Sequence, residues 1–162
     1  MLEVMNPQYP ADSLAAQLTD DHAAIDAPFH AVARGETFPE ALDNLSSAVH
    51  DLRSHIYMEE EHLFPPLREA GMMMPVMVMI REHAQMWPLL DRIDQAIATP
   101  SHDELPTLCQ QVAGLLKDHN EKEEQILYSQ ADATVPAGAA AIIESILDIH
   151  VLPQGWVCQG LH

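Results

Sequence analysis

Two stretches of the chain repeat one chemistry-bearing spacing: SHIYMEEEHLFP at residues 54–65 and DHNEKEEQILYS at residues 118–129. Both read His-x-x-x-Glu-Glu followed by Leu and an aromatic residue. His55 thus matches His119, Glu59 matches Glu123, Leu63 matches Leu127 and Phe64 matches Tyr128. A second pair, DHAAI at 21–25 and EHAQM at 82–86, aligns His22 with His83. On a helix, residues four apart lie one turn apart on the same face, so an imidazole and a carboxylate at that spacing can reach a common centre. Four His and two Glu in two equivalent halves make a donor set for two cations, because a carboxylate can bridge two ions while each imidazole serves one. Nitrogen and oxygen donors without thiolate suit iron, with manganese or zinc less favoured.

The six residues fall on apolar stripes with steps of three and four. These read Leu14, Leu18, His22, Ile25, Phe29 on the first helix and Leu45, Ala48, Leu52, His55, Glu59, His62 on the second. The third carries Val76, Met79, His83, Met86, Leu90, Ile93, and the fourth Leu105, Leu108, Val112, Leu116, His119, Glu123, Ile126. The competing reading is six surface groups on acidic helices. It fails on the stripes, since a lone buried carboxylate costs several kcal/mol and needs a partner; a metal removes that cost. His62 is read as a group beside the centre or at its rim, because its counterpart is Ile126. His30 is read as half-buried at the bundle end, and His50, His102, His150 and His162 as surface residues. Glu60, Glu61, Glu121 and Glu124 read as a solvated face. Met79 and Met86 flank His83 and would keep its pocket apolar, whereas MMMPVMVM at 72–79 reads as a helix entry plus core packing. Nothing in the spacing gives Tyr57 or Tyr128 a role. Cys109 reads as a buried small hydrophobe and Cys158 as an exposed thiol.

The elements that must position these groups are all helical. The first is expected from about Ser13 to Arg34, closed by Gly35. The second should start after Thr37, with Pro39 in its first turn and Glu40 completing a capping box, and stop near Phe64 before Pro65-Pro66. The third should run from Pro75 to before Pro100, and the fourth from Ser101 or Asp103 to about Gln130. A shorter helix fits Pro136 to His150, and the tail to His162 should be irregular. The expected class is all-α: an up-down-up-down four-helix bundle with a short extra C-terminal helix, in one domain spanning 1–162 with the bundle core at about 13–130. Pro28 and Pro88 fall inside helices and should kink them beside His22 and His83.

Composition narrows the partners. The chain has 162 residues, a formal net charge of −18 and ten His against seven Lys plus Arg. A surface this acidic disfavours nucleic acid and anionic membranes. Two Cys do not make a disulfide scaffold, and MLEVMNPQYPADS has neither a basic nor an apolar leader segment, so a cytoplasmic protein is expected.

DHAAI with His22, HIYMEEEHLFP with His55 and Glu59, REHAQMWPLL with His83, and HNEKEEQILY with His119 and Glu123 together resemble the hemerythrin-like (HHE cation-binding) family, over roughly Leu14 to Gln130. The resemblance implies a non-haem di-iron centre with His22, His55, His83 and His119 as terminal ligands and Glu59 and Glu123 as bridges. The oxygen-carrying members have a fifth His where this chain has Met79, and an Asp, spaced one residue further on, where it has Glu123. The four-His, two-Glu set is more similar to the bacterial branch linked to nitric oxide stress and repair of iron centres. The implied function is binding of a small diatomic ligand, O₂ or NO, for sensing or detoxification. The alternatives are an enzyme or repair factor that reduces NO or peroxide, and an iron store or iron sensor. The repair proteins usually add an N-terminal Cys-containing domain, which these residues do not carry and which ranks that alternative second.

Overall fold

A computed structural model describes residues 9–162. The expectation about a leader falls largely on residues 1–8, outside the described residues. Every regular element among the described residues is helical: α1 (Leu14–Ala33), α2 (Pro39–Met58), a π-helical turn (Glu59–Leu63), α3 (Phe64–Glu69), α4 (Met73–Ala98), α5 (Leu105–Lys122), a second π-helical turn (Glu123–Leu127), α6 (Tyr128–Thr134) and α7 (Ala137–Ile149), then a 3₁₀ turn at Gln159–Leu161. No helix among them is long and apolar enough to cross a membrane.

Ser13 caps α1 by accepting from the Ala16 N–H, and Gly35, at φ 101°, lets the chain turn away at its other end. The expected Thr37–Glu40 capping box does not form. Phe38 holds the cap position, so Thr37 lies one residue too early for its hydroxyl to reach the open N–H groups. Pro65-Pro66 does not stop the second rod either. At Glu59 the ladder widens, the Phe64 N–H reaches back five residues to the Glu59 carbonyl, and both prolines fall in the first turn of α3, where an N–H is not required. α4 starts at Met73, so Pro75 sits in its first turn, and it continues through Pro88 as α1 does through Pro28. The fourth rod makes the same widened turn at Glu123 and ends at Thr134, past Gln130.

α1 packs on α2 and α5, and α4 packs on α2 and α5, so the four rods form a square with chain neighbours side by side. The core is divided in two. Ile25, Phe29, Leu45, Leu52, Leu90, Val112 and Leu116 belong to one apolar cluster, and Leu14, Leu18, Met58, Phe64, Met79 and Leu127 to the other. Along every rod the His and Glu residues of interest fall where one cluster gives way to the other. α7 covers the α1–α2 face, and the chain after it crosses to α4.

Candidate metal centre

His22 on α1, His55 on α2, His83 on α4 and His119 on α5 are all buried, and Glu59 and Glu123 are fully so. They form two groups of four. His22, His55, Glu59 and Glu123 bring one donor atom each within 4.8 Å of one another, and so do Glu59, His83, His119 and Glu123. Both carboxylates belong to both groups, as two cations with shared bridges would require. His22 Nε2 and His119 Nε2 each lie 3.1 Å from Glu123 Oε1; His83 Nε2 lies 3.2 Å from Glu59 Oε1, and His55 Nε2 lies 3.5 Å from Glu59 Oε2. The imidazole rings pair within hairpins, His22 with His55 at 4.7 Å and His83 with His119 at 4.9 Å between centroids.

The donor set fits a cation on its own evidence. Glu59 Oε1, Glu123 Oε2 and His83 Nε2 are buried with no hydrogen-bond partner, although His83 Nε2 and Glu59 Oε1 face each other. Buried polar atoms are normally paired, and an orphan carboxylate oxygen is costly. Three orphans aimed at one space, from nitrogen and oxygen donors, fit a hard-to-borderline metal.

A ring of outer carboxylates orients the imidazoles. Asp21 accepts from His55 Nδ1 at 2.7 Å, Glu60 from His83 Nδ1 at 2.6 Å, and Glu82 from His119 Nδ1 at 3.0 Å. An ionised carboxylate only accepts, so Nδ1 carries a proton in each, and Nε2 faces the centre as the nitrogen that could donate to a cation. His22 differs: its Nδ1 is 3.7 Å from Glu124 and makes no hydrogen bond. It forms part of the wall of an open groove of about 660 Å³ between α1 and α5, with Thr19, Asp26, His30, Asn120 and Glu124.

Electrostatics follow from this packing. Burial opposes a charge on His119, but Glu123 and Glu82 outweigh it and push the imidazole up to about 10. His55 is raised well above its usual range, against burial, by Glu59 and Asp21. The hydrogen bond from His119, aided by Lys122, brings Glu82 down to about 2. Without a cation the cluster therefore holds protons in its place.

Two outer groups come from beyond α6. His150 closes α7 in the left-handed region at φ 52°, and its Nε2 lies 3.2 Å from Asp21. The Gln159 backbone N–H donates to Glu60 at 2.7 Å, and the Gln159 side chain donates to the Glu60 carbonyl. Three expectations are thereby corrected. Glu60 is buried rather than solvated, because the C-terminal tail lies over it. His150 is a half-buried partner of Asp21. Cys158 is fully buried, with burial pushing its thiol up to about 12. The tail is irregular as expected, apart from the 3₁₀ turn at Gln159–Leu161.

The widened turns explain the other departures. Each rotates the residues beyond the Glu by one position, so Leu63 and Leu127 point inward where His62 and Ile126 were expected on the stripe. His62 is half-buried against Tyr57, with ring centroids 5.7 Å apart, and Ile126 is 45% exposed. The same rotation carries the Tyr128 hydroxyl into the cluster, a placement that the spacing did not suggest. His30 is exposed and belongs to neither group. Met79 and Met86 are buried as expected, while Met73, Met74 and Met77, at the entry to α4, are exposed; Cys109 is buried as expected.

The model of the hemerythrin HHE cation-binding domain family matches residues 13–131, about three-quarters of the chain, including all six residues and stopping before α7. No curated protein matches the chain.

Proposed function

The chain belongs to the hemerythrin HHE cation-binding domain family, and from that premise we propose that it holds two non-haem iron ions, one through His22 and His55, the other through His83 and His119, with Glu59 and Glu123 shared by both. We propose further that a small diatomic ligand, O₂ or NO, binds at this centre for sensing or detoxification. The observation that carries the reading is the pair of four-residue groups with two carboxylates in common.

When bound, iron with two imidazoles and shared carboxylates would supply open coordination positions for a small molecule. The protein does the rest. Asp21, Glu60 and Glu82 fix the ring orientations and leave Nε2 as donor. The two apolar clusters on either side keep water away and strengthen the electrostatic interactions between them. The groove beside His22 supports a path from solvent to the centre. The reading of residues 1–162 as one domain goes with this proposal, supported by the bonds from His150 and Gln159 to groups of the bundle.

The test is to load the metal-free chain with ferrous iron anaerobically, add NO or O₂ in separate experiments, and follow the visible spectrum. A stable adduct that reverses when the gas is removed supports a binder. Consumption of many equivalents of gas instead supports the reductive enzyme, and no spectral response to either gas overturns both.

A further inference from the structure

Beyond the six residues, one buried polar group has no place in the donor set described above. The Tyr128 hydroxyl lies 2.7 Å from Glu59 Oε2, 2.9 Å from His22 Nε2, 2.9 Å from His55 Nε2 and 3.3 Å from Glu123 Oε1. Those four residues are the four members of one candidate metal group. With metal–ligand bonds of about 2 Å, neighbouring ligand atoms around one cation lie about 3 Å apart, and the Tyr128 oxygen is spaced from all four donors in that way. The other half of the molecule has no equivalent. There the matching residue is Phe64, whose ring stacks on His83 at 5.8 Å and offers no oxygen.

We propose that the Tyr128 phenol oxygen is a ligand of the metal held by His22 and His55, and that the two metal positions are therefore chemically different. In the metal-free chain the hydroxyl proton is donated to Glu59. On ligation the O–H bond breaks, the oxygen keeps the electron pair for the metal, and the proton passes to solvent. A bound cation reverses the usual local preference for the protonated group. The position at His83 and His119, faced by Phe64, keeps the open site for the exogenous ligand. The widened turn at Glu123 is what delivers the hydroxyl, since it places the residue five positions after the bridging Glu on the inner face.

This inference rests on the iron reading, and the experiment separates the two. The wild-type chain and Tyr128→Phe are loaded with ferric iron, and each is assayed for iron per chain, visible absorption and resonance Raman scattering. The expected result is a phenolate-to-iron charge-transfer band in the wild type, with tyrosinate ring vibrations enhanced on exciting into it. Both signals should vanish in Tyr128→Phe while that variant still binds iron. Tyr9 and Tyr57 lie outside both groups, so Tyr9→Phe and Tyr57→Phe should keep the band. Wild-type protein that binds iron without the band overturns the inference and leaves the iron reading standing, and so does a band that survives Tyr128→Phe. A wild-type chain that takes up no iron overturns both. If Tyr128→Phe fails to fold, the presence or absence of the wild-type band and its persistence in the other two variants still decide.

Discussion

Six of the residues at the centre were legible because each breaks the apolar stripe of its helix with a group that is expensive to bury. His22, His55, Glu59, His83, His119 and Glu123 share that property, and the internal repeat doubles the signal. The outer carboxylates were not legible in the same way. Glu60 sits in a run of three Glu and reads as solvent-facing; His83 on α4 and the tail, which has no periodicity to read, together enclose it. Asp21 and Glu82 share a weaker signal, since each directly precedes an expected ligand. Glu60→Ala removes the acceptor of His83 Nδ1 and of the Gln159 N–H together. Loss of such an outer partner typically weakens metal binding by ~10–100-fold. Competition with a metal indicator should show that drop for Glu60→Ala and no change for Glu121→Ala, which alters an exposed neighbour of the centre.

Helices are the part of the fold that periodicity reports well, and all four rods and α7 were placed to within a few residues. The π-helical turns escaped because a single added residue leaves the composition unchanged while rotating everything after it. Once the turn is known, the burial of Leu127 and Tyr128 and the exposure of Ile126 follow from it. The C-terminal strap depends on close approach instead. A Cβ at Gly160 would meet Ala84 Cβ at 2.8 Å and the Ile80 carbonyl oxygen at 3.1 Å, both on α4, so only glycine lets the 3₁₀ turn lie flat there. Gly160→Ala should lift the tail at a cost of ~1–3 kcal/mol. Cys158 is the reporter: its labelling by a thiol reagent under native conditions should speed up in Gly160→Ala, while Cys109, buried between the rods, stays unreactive.

At the scale of the molecule, two helical hairpins each bring two imidazoles and one carboxylate common to both groups to a layer between two apolar clusters. Without a metal that layer is held in part by protons on its imidazoles. A His whose pKa is raised on folding adds stability that is complete below its unfolded value of ~6.5 and is lost as pH rises through the folded value. For His119 that folded value is about 10, so the melting temperature of the metal-free chain should fall between pH 7 and 10. A metal needs the same imidazoles neutral, so its binding releases protons and gains affinity as pH rises. The increment in melting temperature on adding iron should therefore grow with pH while the metal-free value declines. Parallel curves with and without iron would show that the imidazoles are not the ligands.

The stoichiometry of iron is the most direct test of the two-position centre. Anaerobic titration of the metal-free chain with ferrous iron, read by metal analysis after gel filtration, should reach about two irons per chain under this donor count. Glu123→Ala removes a carboxylate common to both groups and should lower occupancy at both positions. A wild-type plateau at one iron, or none, would contradict the account.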